Sequence, residues 1–123
     1  MSKRILVVED TEDNRQIIRD LLSSVGYELI EAVDGAEGVA MAQKERPDLI
    51  LMDIQLPEID GYEATRRIRA IPELAKVPII AVTSYALSGD DAKARAAGCD
   101  DYVAKPFSPR QLLAKIRAFL PPP

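Results

Sequence analysis

The chain has 123 residues, enough for one domain that buries roughly two thirds of the surface its unfolded form exposes. Sixteen Lys and Arg against twenty Asp and Glu leave a net charge of -4, so the molecule as a whole repels a nucleic-acid backbone and direct DNA or RNA binding is not expected. Cys99 stands alone and excludes an internal disulfide, the lack of histidine removes the usual zinc ligands, and no apolar run nears the ~20 residues of a membrane span or a signal-peptide core, so a cytoplasmic protein without membrane contact is expected.

Along the chain, the first apolar run, ILVV at 5–8, reads as a strand and is closed by two acids, Glu9 and Asp10. The period then becomes helical: Ile17, Ile18, Leu21, Leu22 and Val25 form one face, and Gly26 stands where a helix commonly ends in a left-handed residue. YELIEA at 27–32 is a second strand. Asp34-Gly35 has the look of a hairpin turn, but the helical pattern over 36–44 makes it a strand-to-helix loop. The third strand, DLILM at 48–52, lies between Pro47 and Pro57 and is apolar throughout, as a strand covered on both faces by helices would be.

That strand runs into Asp53. A lone carboxylate buried among apolar side chains loses several kcal/mol to desolvation, so Asp53 must sit at the strand's open end or meet a cation. A helical stretch over 63–71 precedes the fourth strand, VPIIAV at 77–82, which closes with Thr83 and Ser84. The weakest helical pattern, over 90–97, offers only alanines to the core. DYVA at 101–104 is the fifth strand and ends in Lys105-Pro106, and a last helix over 109–120 starts at a well-formed cap, Ser108 then Pro109. Residues 121–123 are all proline and stop it, and one domain over 1–123 with no output domain is expected.

Strand followed by helix, repeated through the chain, implies an α/β fold of the (βα)5 type: a doubly wound parallel sheet with right-handed crossovers. Ligands of such sheets bind beyond the carboxyl ends of the strands. Glu9, Asp10, Asp53, Thr83 and Lys105 all fall there. Carboxylates about 4 Å apart repel by roughly 4 kcal/mol at an effective dielectric of 20, so the acidic trio calls for a cation. Oxygen ligands and room for water and a phosphate favour Mg2+ over a protein-enclosed calcium ion. Each residue also has a plainer reading. Glu9 and Asp10 could only serve the dipole of the next helix, Thr83 and Ser84 could cap the fourth helix, Tyr102 could be sheet packing, and Cys99 a small buried apolar group.

The acidic pair Glu9-Asp10, Asp53 in LILMDIQLP, Thr83 in IIAVTSYA and Lys105-Pro106 in YVAKPF together resemble the receiver domain of two-component response regulators, the CheY-like family, over essentially the whole chain. Among its members the likeness is to those that stand alone without an effector domain. The resemblance implies a five-stranded sheet in flavodoxin-like order 2-1-3-4-5. It also implies a phosphoprotein switch rather than a true enzyme, one that catalyses only its own phosphotransfer and dephosphorylation. Asp53 would accept the phosphoryl group. Mg2+ would be held by Asp10, Asp53 and the Gln55 backbone carbonyl, with Glu9 acting through water, and Lys105 would neutralise phosphoryl charge. Thr83 would capture the attached group and Tyr102 would turn inward behind it, while Gln55 and Tyr85 would tune the phosphoryl lifetime. The Lys105-Pro106 peptide would be cis. A sensor histidine kinase or histidine phosphotransfer protein would act as donor, since the chain has no histidine of its own, and a downstream protein would read the change. Glu9 departs from the aspartate more common at its position. A phosphatase with an aspartyl nucleophile is the competing chemistry, but Gln55 stands where such an enzyme needs an acid and cannot protonate a leaving group.

Overall fold

The computed structural model describes residues 3–84 and 90–120. Five strands, β1 (Arg4–Val8), β2 (Glu28–Ala32), β3 (Leu49–Asp53), β4 (Ile79–Thr83) and β5 (Asp101–Ala104), form one sheet in the order β2-β1-β3-β4-β5. All the pairings are parallel, with Leu6 beside both Ile30 and Ile50, and Met52 beside both Val8 and Ala81. The helices α1 (Glu12–Ser24), α2 (Gly35–Glu45), α3 (Gly61–Arg69) and α4 (Asp90–Ala97) make the crossovers, and α5 (Pro109–Phe119) follows the last strand. This is the doubly wound (βα)5 fold, in the order the resemblance implied.

Strand alternation divides the core in two. Leu6, Val8, Ile50, Met52, Ile79 and Ala81 pack toward α2, α3 and α4, whereas Ile5, Val7, Leu49, Leu51 and Ile80 pack toward α1 and α5. β3 is buried at every residue, including Asp53, as a central parallel strand must be. α1 departs from its expected face: Ile18 and Leu22 are buried, but Ile17 is 53% exposed and belongs to the surface. Within α4, Ala94 and Ala97 are buried. Methyl groups are all it inserts there, so its packing gains little beside the isoleucines and leucines of α5.

Local chemistry sets the helix ends. Asp34, Asp60 and Ser108 accept hydrogen bonds from the amides of Glu37, Glu63 and Gln111 at 2.8, 2.9 and 3.0 Å, each satisfying an otherwise unpaired N–H of a first turn. Asp34-Gly35 therefore opens a helix. Gly26, at φ 92°, ends α1 in the conformation that a side chain disfavours. α3 stops at Arg69, short of the expected 71, because Ile71 precedes Pro72 and is held extended (φ -85°, ψ 118°); a 3-10 turn, Pro72–Leu74, follows.

Arg69 closes the end of the sheet opposite the acidic residues. Its guanidinium donates to the carbonyls of Leu74, Val77 and Gly98 at 3.1, 2.6 and 2.9 Å and to Asp100 at 2.8 Å. Asp100 in turn accepts the Ile79 amide at 2.9 Å. One side chain thus joins α3, the turn after it, the start of β4 and the α4–β5 connection. Replacing it by a chain of similar bulk keeps the stem and strands the carbonyls, so Arg69→Met should lose about 3 kcal/mol of stability in urea unfolding. The site at the far end should keep its wild-type spectrum below the melting transition.

Candidate functional site

The strand ends converge as expected. Asp53, 2% exposed, ends β3 with both carboxylate oxygens engaged: Oδ1 accepts the Gln55 amide at 3.0 Å and Oδ2 accepts the Lys105 ammonium at 3.0 Å. Glu9 closes β1, also buried, with Oε1 3.1 Å from Lys105 Nζ and Oε2 accepting the Thr11 amide at 3.1 Å. Asp10 is exposed beside them, and one carboxylate oxygen from each of the three acids lies within 4.8 Å of the others. Among the described residues no hydrogen bond or ion pair engages Asp10.

One lysine therefore stands between two buried carboxylates. Burial alone would pull the Lys105 ammonium's pKa down from its ordinary value of 10.5, but the hydrogen bonds and charges of Asp53 and Glu9 outweigh it and the net shift is upward. The stabilisation this linkage contributes is complete below the ordinary lysine value and is lost only as pH climbs through the higher folded-state value. At neutral pH the lysine is a fixed cation.

Thr83 ends β4, 1% exposed, and its hydroxyl oxygen accepts Gln55 Nε2 at 3.1 Å. Ser84 does not cap α4, which starts at Asp90; its amide donates to Gln55 Oε1 at 3.1 Å. The Lys105-Pro106 peptide is cis. Tyr102 is half-buried against the core rather than exposed, with Lys115 Nζ 5.6 Å from its ring centre. Cys99 is buried against the Thr65 hydroxyl. Tyr85 lies outside the described residues.

Two neighbours of the site carry no signal in the sequence. Arg15 donates to the Glu9 carbonyl at 2.8 Å while its Nε lies 3.4 Å from Glu31, tying the acidic loop to α1 and β2. The Glu12–Arg15 spacing suggests only a surface pair. Gly61, the first residue of α3, donates to the Ile54 carbonyl at 3.0 Å and leaves no room for a side chain: a Cβ there would overlap the Asp53 carbonyl oxygen and Ile54 Cα. Its neighbour Asp60 signals a helix cap, which hides this second role.

Similarity to known proteins agrees with the geometry. The family model for the response regulator receiver domain matches residues 5–117, and the chain belongs to that family of phosphoacceptor signalling switches. Its particular likeness is to DivK: the polar-differentiation response regulators DivK of Brucella anthropi and Brucella ovis are 43% and 42% identical over 120 residues, 98% of this chain and 98% of theirs. The receiver domain of a Pseudomonas aeruginosa PAO1 sensor histidine kinase, solved with a magnesium ion coordinated in its active site cleft, is 43% identical with a TM-score of 0.91, covering 97% of this chain and 98% of that one. The chemotaxis response regulator CheY4 of Vibrio cholerae is 31% identical with a TM-score of 0.92, covering 98% of this chain and all of its own.

Two outcomes follow from the geometry. Gly61→Ala forces a methyl group into the backbone of the aspartate-bearing strand end and should cost about 2 kcal/mol, read by urea unfolding, with amide shifts at Asp53 and Ile54. Asp10→Asn removes the carboxylate without a protein partner, so in EDTA this variant should melt a few degrees above the wild type, and added Mg2+ should raise the wild-type melting point far more than the variant's.

Proposed function

We propose that Asp53 takes a phosphoryl group from the phosphohistidine of a sensor kinase or histidine phosphotransfer protein. The observation that carries this reading is Asp53 itself, a buried carboxylate at a strand end, held by Lys105 and flanked by two further acids. A carboxylate oxygen of Asp53 bonds to phosphorus as the bond from phosphorus to the donor's imidazole nitrogen breaks; the proton on the other ring nitrogen stays with the ring, leaving an aspartyl phosphate and a neutral imidazole. Lys105 neutralises charge on the transferring group, whose transition state gains mainly from positioning and electrostatics.

The acidic trio suits Mg2+: hard oxygen donors, net negative charge and an exposed member. Asp10, Asp53 and the Gln55 backbone carbonyl would hold the ion, and Glu9 would act through water. When bound, Mg2+ supplies further positive charge toward the phosphoryl oxygens.

Thr83 then captures the attached group, and Tyr102, released from its half-buried rotamer, follows. A downstream protein reads the surface of α4, β5 and α5, whose first member is lightly packed, as switching elements tend to be. Gln55 and Tyr85 set the lifetime of that state. The same site catalyses its own phosphotransfer and hydrolysis, and the proposed place of action is the cytoplasm, where donors charged from ATP are found.

Acetyl phosphate with Mg2+ should add one phosphoryl group to the wild type, seen by intact mass, and none to Asp53→Asn. Equal labelling of both proteins, or labelling equally fast in EDTA, overturns the assignment.

A further inference from the structure

The Gln55 side chain occupies an unusual position. Its backbone amide is bound to the acceptor carboxylate, Asp53 Oδ1, at 3.0 Å. Its carboxamide spans to the end of β4, where Nε2 donates to Thr83 Oγ1 and Oε1 accepts the Ser84 amide, both at 3.1 Å. The orientation of that carboxamide is set by chemistry, since the Ser84 N–H can only donate and must face the oxygen, which turns the NH2 group to the threonine. Two consecutive links therefore run from the acceptor, through Gln55, to the residue that must move, and a third ties Gln55 to its neighbour Ser84. The end of β4 is held from its other side as well, by the Lys105 amide donating to the Thr83 carbonyl at 2.7 Å.

We infer that the Gln55 carboxamide is a clasp that holds Thr83 and Ser84 in the unphosphorylated arrangement, and that its release is what lets Thr83 turn to the phosphoryl group. The inference rests on Asp53 being the phosphoacceptor. A phosphoryl group there brings about two negative charges and strong acceptor oxygens next to the clasp. Those oxygens outcompete a neutral amide carbonyl for nearby donors, because hydrogen bonds to charged acceptors are roughly twice as strong. The Ser84 amide, now donating to Gln55 Oε1, is such a donor, and the Thr83 hydroxyl, which accepts from Gln55 Nε2 in the same clasp, carries a proton it can donate; Gln55 is itself two residues from Asp53. Gln55 is thus a positioning residue: it keeps the switch closed until the charge arrives and yields because it is uncharged.

The test uses 15N-labelled protein and reads two groups. In the unphosphorylated state, the Ser84 amide of Gln55→Ala should exchange with solvent about tenfold faster than in the wild type, the loss expected for one or two hydrogen bonds, while the amides of α1 keep their wild-type rates. In the wild type, the side-chain NH2 signals of Gln55 should shift to solvent-exposed values when acetyl phosphate and Mg2+ are added and intact mass confirms one phosphoryl group. Unchanged Ser84 exchange in Gln55→Ala, a rise shared equally by α1, or Gln55 NH2 signals that stay in place at confirmed phosphorylation would each overturn the clasp. Absence of the mass change would instead overturn the phosphoacceptor reading, while the exchange comparison between Gln55→Ala and wild type still decides for or against the clasp. Gln55→Glu adds a graded check: its carboxylate can still accept the Ser84 amide but cannot donate to Thr83, so Ser84 should stay protected, and exchange as fast as in Gln55→Ala overturns the assigned orientation.

Discussion

Lys105 carries a single positive charge between Glu9 and Asp53, two carboxylates that are almost wholly buried, with Asp10 a third acid at their rim. The arrangement is short of one or two positive charges. Between the two buried carboxylates that shortage is little screened by solvent, so the strand ends are held in an electrostatic state that a divalent cation relaxes. The chemistry of the site, its need for metal and its response to phosphate have this single origin. Stability is given up locally to keep the acids together, as binding and switching sites commonly require.

The rest of the fold serves that cluster. Parallel strands place all their carboxyl ends on one edge, so residues from β1, β3, β4 and the β5 exit meet although up to 96 positions separate them in the chain. The helices on both faces cover the three central strands, β1, β3 and β4, and make the cluster the polar end of an apolar slab. Close approach of α3 is secured by the missing side chain at Gly61, and the opposite edge by the Arg69 guanidinium. Rigidity at the base and charge imbalance at the top are properties of the same strands.

Much of this is legible in the sequence, and the reason lies in which interactions are local. The strand runs, the cap at Ser108 and the stop at Gly26 are determined within a few residues and can be read as such. Asp53 stands out because one charge interrupts an otherwise apolar central strand. The reach of Arg15 to the Glu9 carbonyl, the contact of Gly61 with β3 and the bridge from Gln55 to Thr83 depend on how elements are oriented after packing, and no periodicity encodes them. Ile17 shows the same limit from the other side. It fits the helical stripe by spacing, yet α1 is rotated so that Ile18 and Leu22 fill the core and Ile17 faces solvent. The early end of α3 is present in the dipeptide Ile71-Pro72, where the steric rule for residues before proline outweighs the helical pattern.

An open sheet has two free edges, here β2 and β5, and each offers unpaired backbone groups to any other strand it meets. β2 carries Glu28 and Glu31, whose charges would have to be buried or brought close to like charges if two such edges paired. β5 is only four residues long and begins with Asp101, held by Lys115 at 3.0 Å. The edges are thus poor templates for strand addition, and one molecule's sheet does not readily recruit a neighbour's even at high concentration.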